Sequence, residues 1–155
     1  MMKDKINEIS MLVREIEYDS EDYCIELELR DEVLRKPLGL SLYAENLEAE
    51  KDDIHIAAFV NNKMIGALIL TTLNATDIKM RQVAVLEEFR AMKVGSEMVQ
   101  YAENYSKKSG YKNMLLNARK TAAEFYEKHG YEKISEEFLE INLPHYKMRK
   151  CMDNL

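Results

Sequence analysis

The sequence predicts an α/β fold of the α+β kind, an antiparallel meander followed by strand–helix–strand–helix–strand. Three observations carry this. Ile54–Val60 and residues 63–73 are strand-like runs joined by Asn61-Asn62, a pair that accepts the positive φ of a tight hairpin. From Val94 onward, Val94, Met98, Tyr101, Ala102 and Tyr105 recur at spacings of three and four, which is helical. Beyond Gly110 come a short apolar strand, a second helical stretch and two closing strands.

Taken in order, residues 12–17 alternate apolar and polar and read as a first strand. Asp19 and Ser20 are good N-caps for a helix running to about Leu34, with Cys24, Leu27, Asp31 and Leu34 near one face. Pro37 and Gly39 break the chain, and residues 42–50 suggest a second, short helix. After the hairpin, residues 74–77 form a turn and 78–85 a third meander strand. Residues 86–93 are a charged loop leading into the helix from Val94. Residues 112–118 read as a strand, and 121–129 as a helix stopped by Gly130. Residues 131–138 and 144–151 read as two closing strands.

With 155 residues and no Pro/Gly/Ser-rich linker, residues 1–155 read as a single domain. Residues 1–9 are polar and charged rather than a basic start followed by an apolar run, and the longest apolar stretch is too short to span a bilayer. Cys24 and Cys151 read as two free thiols of a reducing compartment. The expectation is a cytoplasmic protein without a membrane partner. A net charge of −6 argues against nucleic acid, which needs a basic surface, and mildly favours a cationic substrate such as an amine. His55, His129 and His145 lack metal-ligand spacing, so no metal is expected.

Two segments carry chemistry. The strand ending Val83-Ala84-Val85 feeds a loop, Arg90-Ala91-Met92-Lys93-Val94-Gly95-Ser96, at the start of a helix. Unpaired N–H groups and the positive dipole end favour phosphate there, and Arg90 and Lys93 add charge. A plain amphipathic helix start explains the same residues. The loop lacks the glycine pair and the Gly-Lys-Ser/Thr ending of a Walker A motif. The second segment runs from Arg119 to Tyr131 and contains Ala122, Phe125, Tyr126 and Gly130. Phe125 reads most simply as core. Tyr126 is either packing or a phenol that donates to a developing anion.

Together the segments resemble the GNAT superfamily of acetyl-CoA-dependent N-acetyltransferases. Arg90 and Gly95 match the first and last positions of its Gln/Arg-x-x-Gly-x-Gly/Ala signature, after a Val-x-Val strand end. Ala122, Phe125, Tyr126, Gly130 and Tyr131 match its later segment. Lys93 replaces the signature's first glycine and Arg119 its usual Asn. A lysine serves as glycine does there only if φ at that position is negative. The stretch from Phe138 to Met148 resembles an ElaA-like branch.

The resemblance implies the acyl-CoA N-acyltransferase fold, a mixed central sheet of about six to seven strands flanked by about four helices. It implies acetyl transfer from acetyl-CoA to a primary amine of a small molecule or peptide, by direct attack. Val83, Ala84 and Val85 would meet the pantetheine arm and the thioester oxygen. Arg90, Ala91, Met92, Lys93, Val94, Gly95 and Ser96 would hold the pyrophosphate, with Arg119 and Phe125 as further cofactor contacts. Tyr126 would protonate the departing thiolate. The base is open between His145, Glu140 and Glu88, and His145 reads more simply as a surface or hydrogen-bonded turn histidine. His55 and the segment 45–53 read as structural and solvated respectively. Lys93 keeps a second reading alive, a catalytically silent acyl-CoA-binding module. Homodimerisation is common in the family.

Overall fold

Ser20 starts the first helix as its residue type suggests: its hydroxyl oxygen accepts the Tyr23 N–H at 3.2 Å. The helix, α1, spans Glu21–Leu34 and follows strand β1, Met11–Ile16. The computed structural model describes residues 10–152; residues 1–9, read above as carrying no secretory signal, lie outside the described residues. The described residues group into two compact units. One takes residues up to Leu70 and Gln82–Tyr101; the other takes Thr71–Arg81 and residues from Ala102 on.

In the first unit, β1 pairs antiparallel with β2 (Ile54–Val60), from Met11↔Val60 to Ile16↔His55. β2 pairs antiparallel with β3 (Lys63–Thr72) through a hairpin whose Asn61 and Asn62 have φ of 50° and 65°. Both values are ones that Asn tolerates better than most residues. β4 (Asp77–Val85) comes next in the sheet. Ile56, Leu68, Val94 and Met98 form part of the buried core. Gly66 keeps β3 close to its neighbours: a Cβ there would lie 3.0 Å from Met98 Cε and 3.2 Å from the Ala84 carbonyl oxygen. Nothing in the sequence pattern singles out that glycine.

In the second unit, β4 pairs in parallel with β5 (Asn113–Arg119) from Asp77↔Asn113 to Lys79↔Leu115. β5 pairs antiparallel along its whole length with β8 (Leu143–Cys151). Helix α2 (Val94–Lys108) precedes β5 and helix α3 (Ala123–Lys128) follows it. Two short strands, β6 (Glu132–Lys133) and β7 (Phe138–Glu140), both pair with β8. Tyr131, Glu103 and Lys150 lock one face: Tyr131 Oη donates to Glu103 at 2.8 Å and Lys150 Nζ to the same carboxylate at 3.1 Å.

Eight strands in a mixed sheet, three α-helices and five 3-10 turns are thus present among the described residues. The strand count exceeds six or seven because residues 131–138, read as one strand, hold only β6, and a further strand, β7, begins at Phe138. Residues 42–50 do not form an α-helix; they make two 3-10 turns, Leu42–Ala44 and Leu47–Glu50. Residues 121–129 begin as a 3-10 turn, Lys120–Ala122, before α3. On α1, Cys24 is exposed, and the buried stripe is Tyr23, Glu26, Leu27, Arg30 and Asp31. Asp31 is satisfied there by accepting the Leu42 N–H at 2.8 Å. Among the described residues no helix is long and apolar enough to cross a membrane.

Candidate active site

In the first unit, a polar network under α1 fixes the chain where β4 bends. Gln82 adopts φ 52°, so β4 is not regular at the residue before Val83. The Gln82 side-chain oxygen accepts from Arg30 Nε at 3.0 Å and Nη2 at 2.8 Å. The same guanidinium makes a two-pronged contact with Glu50, at 2.9 and 2.6 Å. Tyr23 Oη donates to Glu50 at 2.9 Å. Glu50 is buried, so the expectation of a solvated 45–53 segment fails there: its carboxylate is the counter-ion a buried arginine requires. Burial would raise its pKa, but the bonds and charge of Arg30 and the Tyr23 hydrogen bond outweigh that and lower it.

His55 belongs to this network and is structural, as read. Its Nδ1 faces Glu26 at 3.1 Å and its Nε2 the Glu50 carbonyl oxygen at 3.0 Å. Both partners accept, so both ring nitrogens act as donors and the ring is an imidazolium. Burial pulls the His55 pKa down, but Glu26, by hydrogen bond and charge, and then the Glu50 carbonyl raise it above the ordinary value. The charges of Arg30 and His55 therefore balance those of Glu50 and Glu26.

Val83, Ala84 and Val85 follow Gln82, with Ala84 buried and the two valines half-buried. Beyond them a 3-10 turn, Glu87–Met92, leads to α2. Glu88 lies exposed in that turn, Arg90 and Ala91 are exposed, and Met92 is half-buried. Arg90 Nε donates to the Val85 carbonyl at 3.4 Å, closing the loop onto the strand end. Lys93 sits at φ 60°, ψ 27°, the left-handed region, so the negative φ expected of a lysine standing in for glycine is not found. This is the backbone a glycine adopts freely and an L side chain reluctantly. The Lys93 carbonyl accepts the Glu97 N–H at 3.1 Å, the first helical bond of α2. Val94 and Gly95, followed by Ser96, are thus its first-turn residues, at the helix end where backbone N–H groups point outward.

In the second unit, α3 turns Tyr126 inward and leaves Phe125 half-buried, so Phe125 is not the core residue it suggested. Tyr126 is 7% exposed, edge-on to Phe125 at 5.1 Å and to Tyr131 at 5.8 Å between ring centroids. Burial raises its pKa above the ordinary phenol value, so the hydroxyl stays protonated at neutral pH. His129 caps the helix: its Nδ1 meets the Phe125 carbonyl oxygen at 2.8 Å.

Two of the base candidates meet on β7 and β8. His145 is inside a strand and buried rather than in a surface turn. Its Nδ1 lies 2.8 Å from the Leu143 carbonyl oxygen, which can only accept, so Nδ1 carries a proton. Its Nε2 faces Glu140 Oε2 at 3.5 Å. Glu140 Oε1 accepts from Asn117 Nδ2 at 3.0 Å. Arg119, half-buried at the end of β5, pairs in register with His145. Glu88 belongs to the other unit. The residues missed from sequence are Gln82, Arg30 and Asn117. Glu26 and Arg30 at i, i+4 on one helix were the available signal for Arg30; Gln82 and Asn117 had none.

The family model described as an acetyltransferase (GNAT) domain matches residues 22–152. The chain belongs to the GNAT acetyltransferase family. It is an N-acetyltransferase of that family, as the resemblance implied. It is 32% identical over 123 residues to an uncharacterised N-acetyltransferase, YjcF, of Bacillus subtilis (strain 168), covering 79% of this chain and 87% of that one. The fold is shared with Escherichia coli ElaA at a TM-score of 0.76 and 19% identity, over 91% of this chain and 99% of that one. It is also shared with a GNAT family acetyltransferase from Elizabethkingia anophelis with acetyl-CoA bound, at a TM-score of 0.70 and 13% identity, over 91% and 97%.

Proposed function

We propose that this GNAT chain moves the acetyl group of acetyl-CoA onto a primary amine of a small molecule or peptide, by direct attack of the amine. The observation that carries this reading is the strand end Val83–Val85, closed by the Arg90 bond to the Val85 carbonyl and leading into the first turn of α2. The loop before α2 keeps a glycine-type backbone although glycine is gone, which supports a pyrophosphate cradle at Arg90–Ser96. The positive end of α2 and the charges of Arg90 and Lys93 add to it. Val83–Val85 supply N–H groups for the pantetheine arm and the thioester oxygen.

The amine nitrogen bonds to the thioester carbonyl carbon, and the C–S bond then breaks. The Tyr126 phenol gives its proton to the thiolate that leaves. The proton lost by the amine lodges on the Glu140–His145 pair. His145 Nε2 takes it because Nδ1 is held protonated by Leu143, and Glu140 stabilises the imidazolium. Glu140 is the solvent-facing member, with 47% of its side chain exposed against 4% for His145.

Calorimetry with acetyl-CoA, with adenosine as the control, tests the cradle; a thiol-release assay over a panel of amines tests turnover. Saturable binding that needs the pyrophosphate is expected, with turnover on at least one amine. Tyr126→Phe should lower kcat by about 10²-fold and leave acetyl-CoA affinity nearly unchanged. Binding without turnover on any amine would point instead to the silent module. No binding at millimolar ligand would end the cofactor reading.

A further inference from the structure

One face of the sheet in the second unit carries more positive charge than its own carboxylates balance. Strand register places the residues. Lys79 of β4 is level with Leu115 of β5, and Leu115 with Arg149 of β8. One row on, Asn117 is opposite Lys147; one further, Arg119 is opposite His145. Directly opposed residues share a face. Arg149 is matched by Glu132 at 3.6 Å. Glu140 is engaged by Asn117 and His145. Arg119 aside, Lys79, half-buried, and Lys147, exposed, have no carboxylate within ion-pair distance among the described residues.

The surroundings of Lys79 agree. Burial lowers its pKa; Glu140 pulls the other way, and Arg81 and Lys147 add to the lowering. A half-buried ammonium pressed by two like charges gains from an added anion, which restores both its solvation and its charge balance. The chain as a whole, at −6, favours a cation; this face does not.

We propose that this face binds the carboxylate of the acceptor, so that the amine acetylated is one that also carries an acid group, as an amino acid does. Lys79 and Lys147 hold the carboxylate, and Asn117 offers a neutral donor between them. The Glu140–His145 pair on the same face meets the amine end. The inference rests on the amine-transfer reading and names its substrate class.

The test compares amino acids with their decarboxylated amines at fixed acetyl-CoA and ionic strength. The carboxylate-bearing member of each pair should have kcat/KM higher by about tenfold or more, equivalent to about 1.4 kcal/mol. Lys79→Gln should raise KM for that member about tenfold, leave the decarboxylated amine within about twofold, and Lys79→Arg should restore the preference. Preference for the decarboxylated amine in the wild type, or an equal loss on both members in Lys79→Gln, overturns the proposal. A second readout is independent of turnover. The Asn117 side-chain amide is followed by NMR while N-acetylglycine, then N-methylacetamide, is titrated. Saturable shifts with the first alone are expected in the wild type and lost in Lys79→Gln, even if no amine is acetylated. No response to N-acetylglycine overturns the carboxylate site while leaving acetyl-CoA binding, measured separately, to stand or fall by itself.

Discussion

Replacing Lys93 by glycine and, separately, by alanine separates the backbone of the cradle from its charge. Lys93 lies at φ 60°, ψ 27°, where an L residue is disfavoured by about 1–2 kcal/mol. Glycine removes that strain but loses more backbone freedom on folding, by roughly 0.5–1 kcal/mol. The net expectation for Lys93→Gly is a stabilisation of about 0.5–1 kcal/mol, or roughly 1–4 °C in Tm for a chain of this length. Lys93→Ala keeps the Cβ and so the strain, and its stability should stay within about 0.5 kcal/mol of wild type. Both variants lose the ammonium equally. Thermal melts give the stability and calorimetry with acetyl-CoA gives the affinity. If the ammonium meets phosphate, both variants lose affinity alike. If only the backbone matters, glycine binds as well as lysine. Equal melting of the glycine and alanine variants would refute the left-handed backbone at this position, and with it that support for the cradle.

Arg30→Met should destabilise by about 3–5 kcal/mol in chemical denaturation, because Glu50 and the Gln82 amide are left buried without their partner. Unchanged stability would mean water enters and replaces the guanidinium. The raised His55 pKa means its contribution is complete below the unfolded value of about 6.5 and is lost as pH rises through the folded value. His55→Phe should therefore flatten stability against pH on the alkaline side; an unchanged slope in denaturant melts would sink the imidazolium assignment. Gly66→Ala should cost about 1–3 kcal/mol by overpacking against Met98 and the Ala84 carbonyl, read from the denaturation midpoint. Gly95→Glu should weaken acetyl-CoA binding by crowding and charging the first turn of α2, and unchanged affinity by calorimetry would mean the loop is not the cradle.

Periodicity and turn chemistry made most elements legible. Asn61-Asn62 announced its hairpin because Asn accepts positive φ, and Val94, Met98 and Ala102 announced α2 because they repeat at its pitch and are buried. The polar network was not legible, because no local pattern says that Glu50 in a Glu-rich stretch is the counter-ion of Arg30 twenty residues earlier. That pairing exists only after the two 3-10 turns bring the stretch back over α1. Gly66 and Asn117 likewise take their meaning from neighbours distant in sequence.

The hairpin of β7 with β8 was missed for a different reason. The β7–β8 hairpin turns at Ile141-Asn142, with φ of 47° and 60°. Asn fits such a turn, but Ile is among the residues least able to occupy it, so the sequence gives no hairpin signal there. Lys93 poses the same problem in the other unit: a residue without glycine's freedom holds a glycine conformation. In both places the local preference is overruled, and each departure adjoins residues assigned chemistry here, the first turn of α2 in one and Glu140 in the other. Backbone strain at these two places, beside the groups proposed to react, is what a site held in place by its surroundings would show. At Lys93 and Ile141 neighbouring structure, rather than the residue's own preference, sets the geometry, and the proposed chemistry would draw on that.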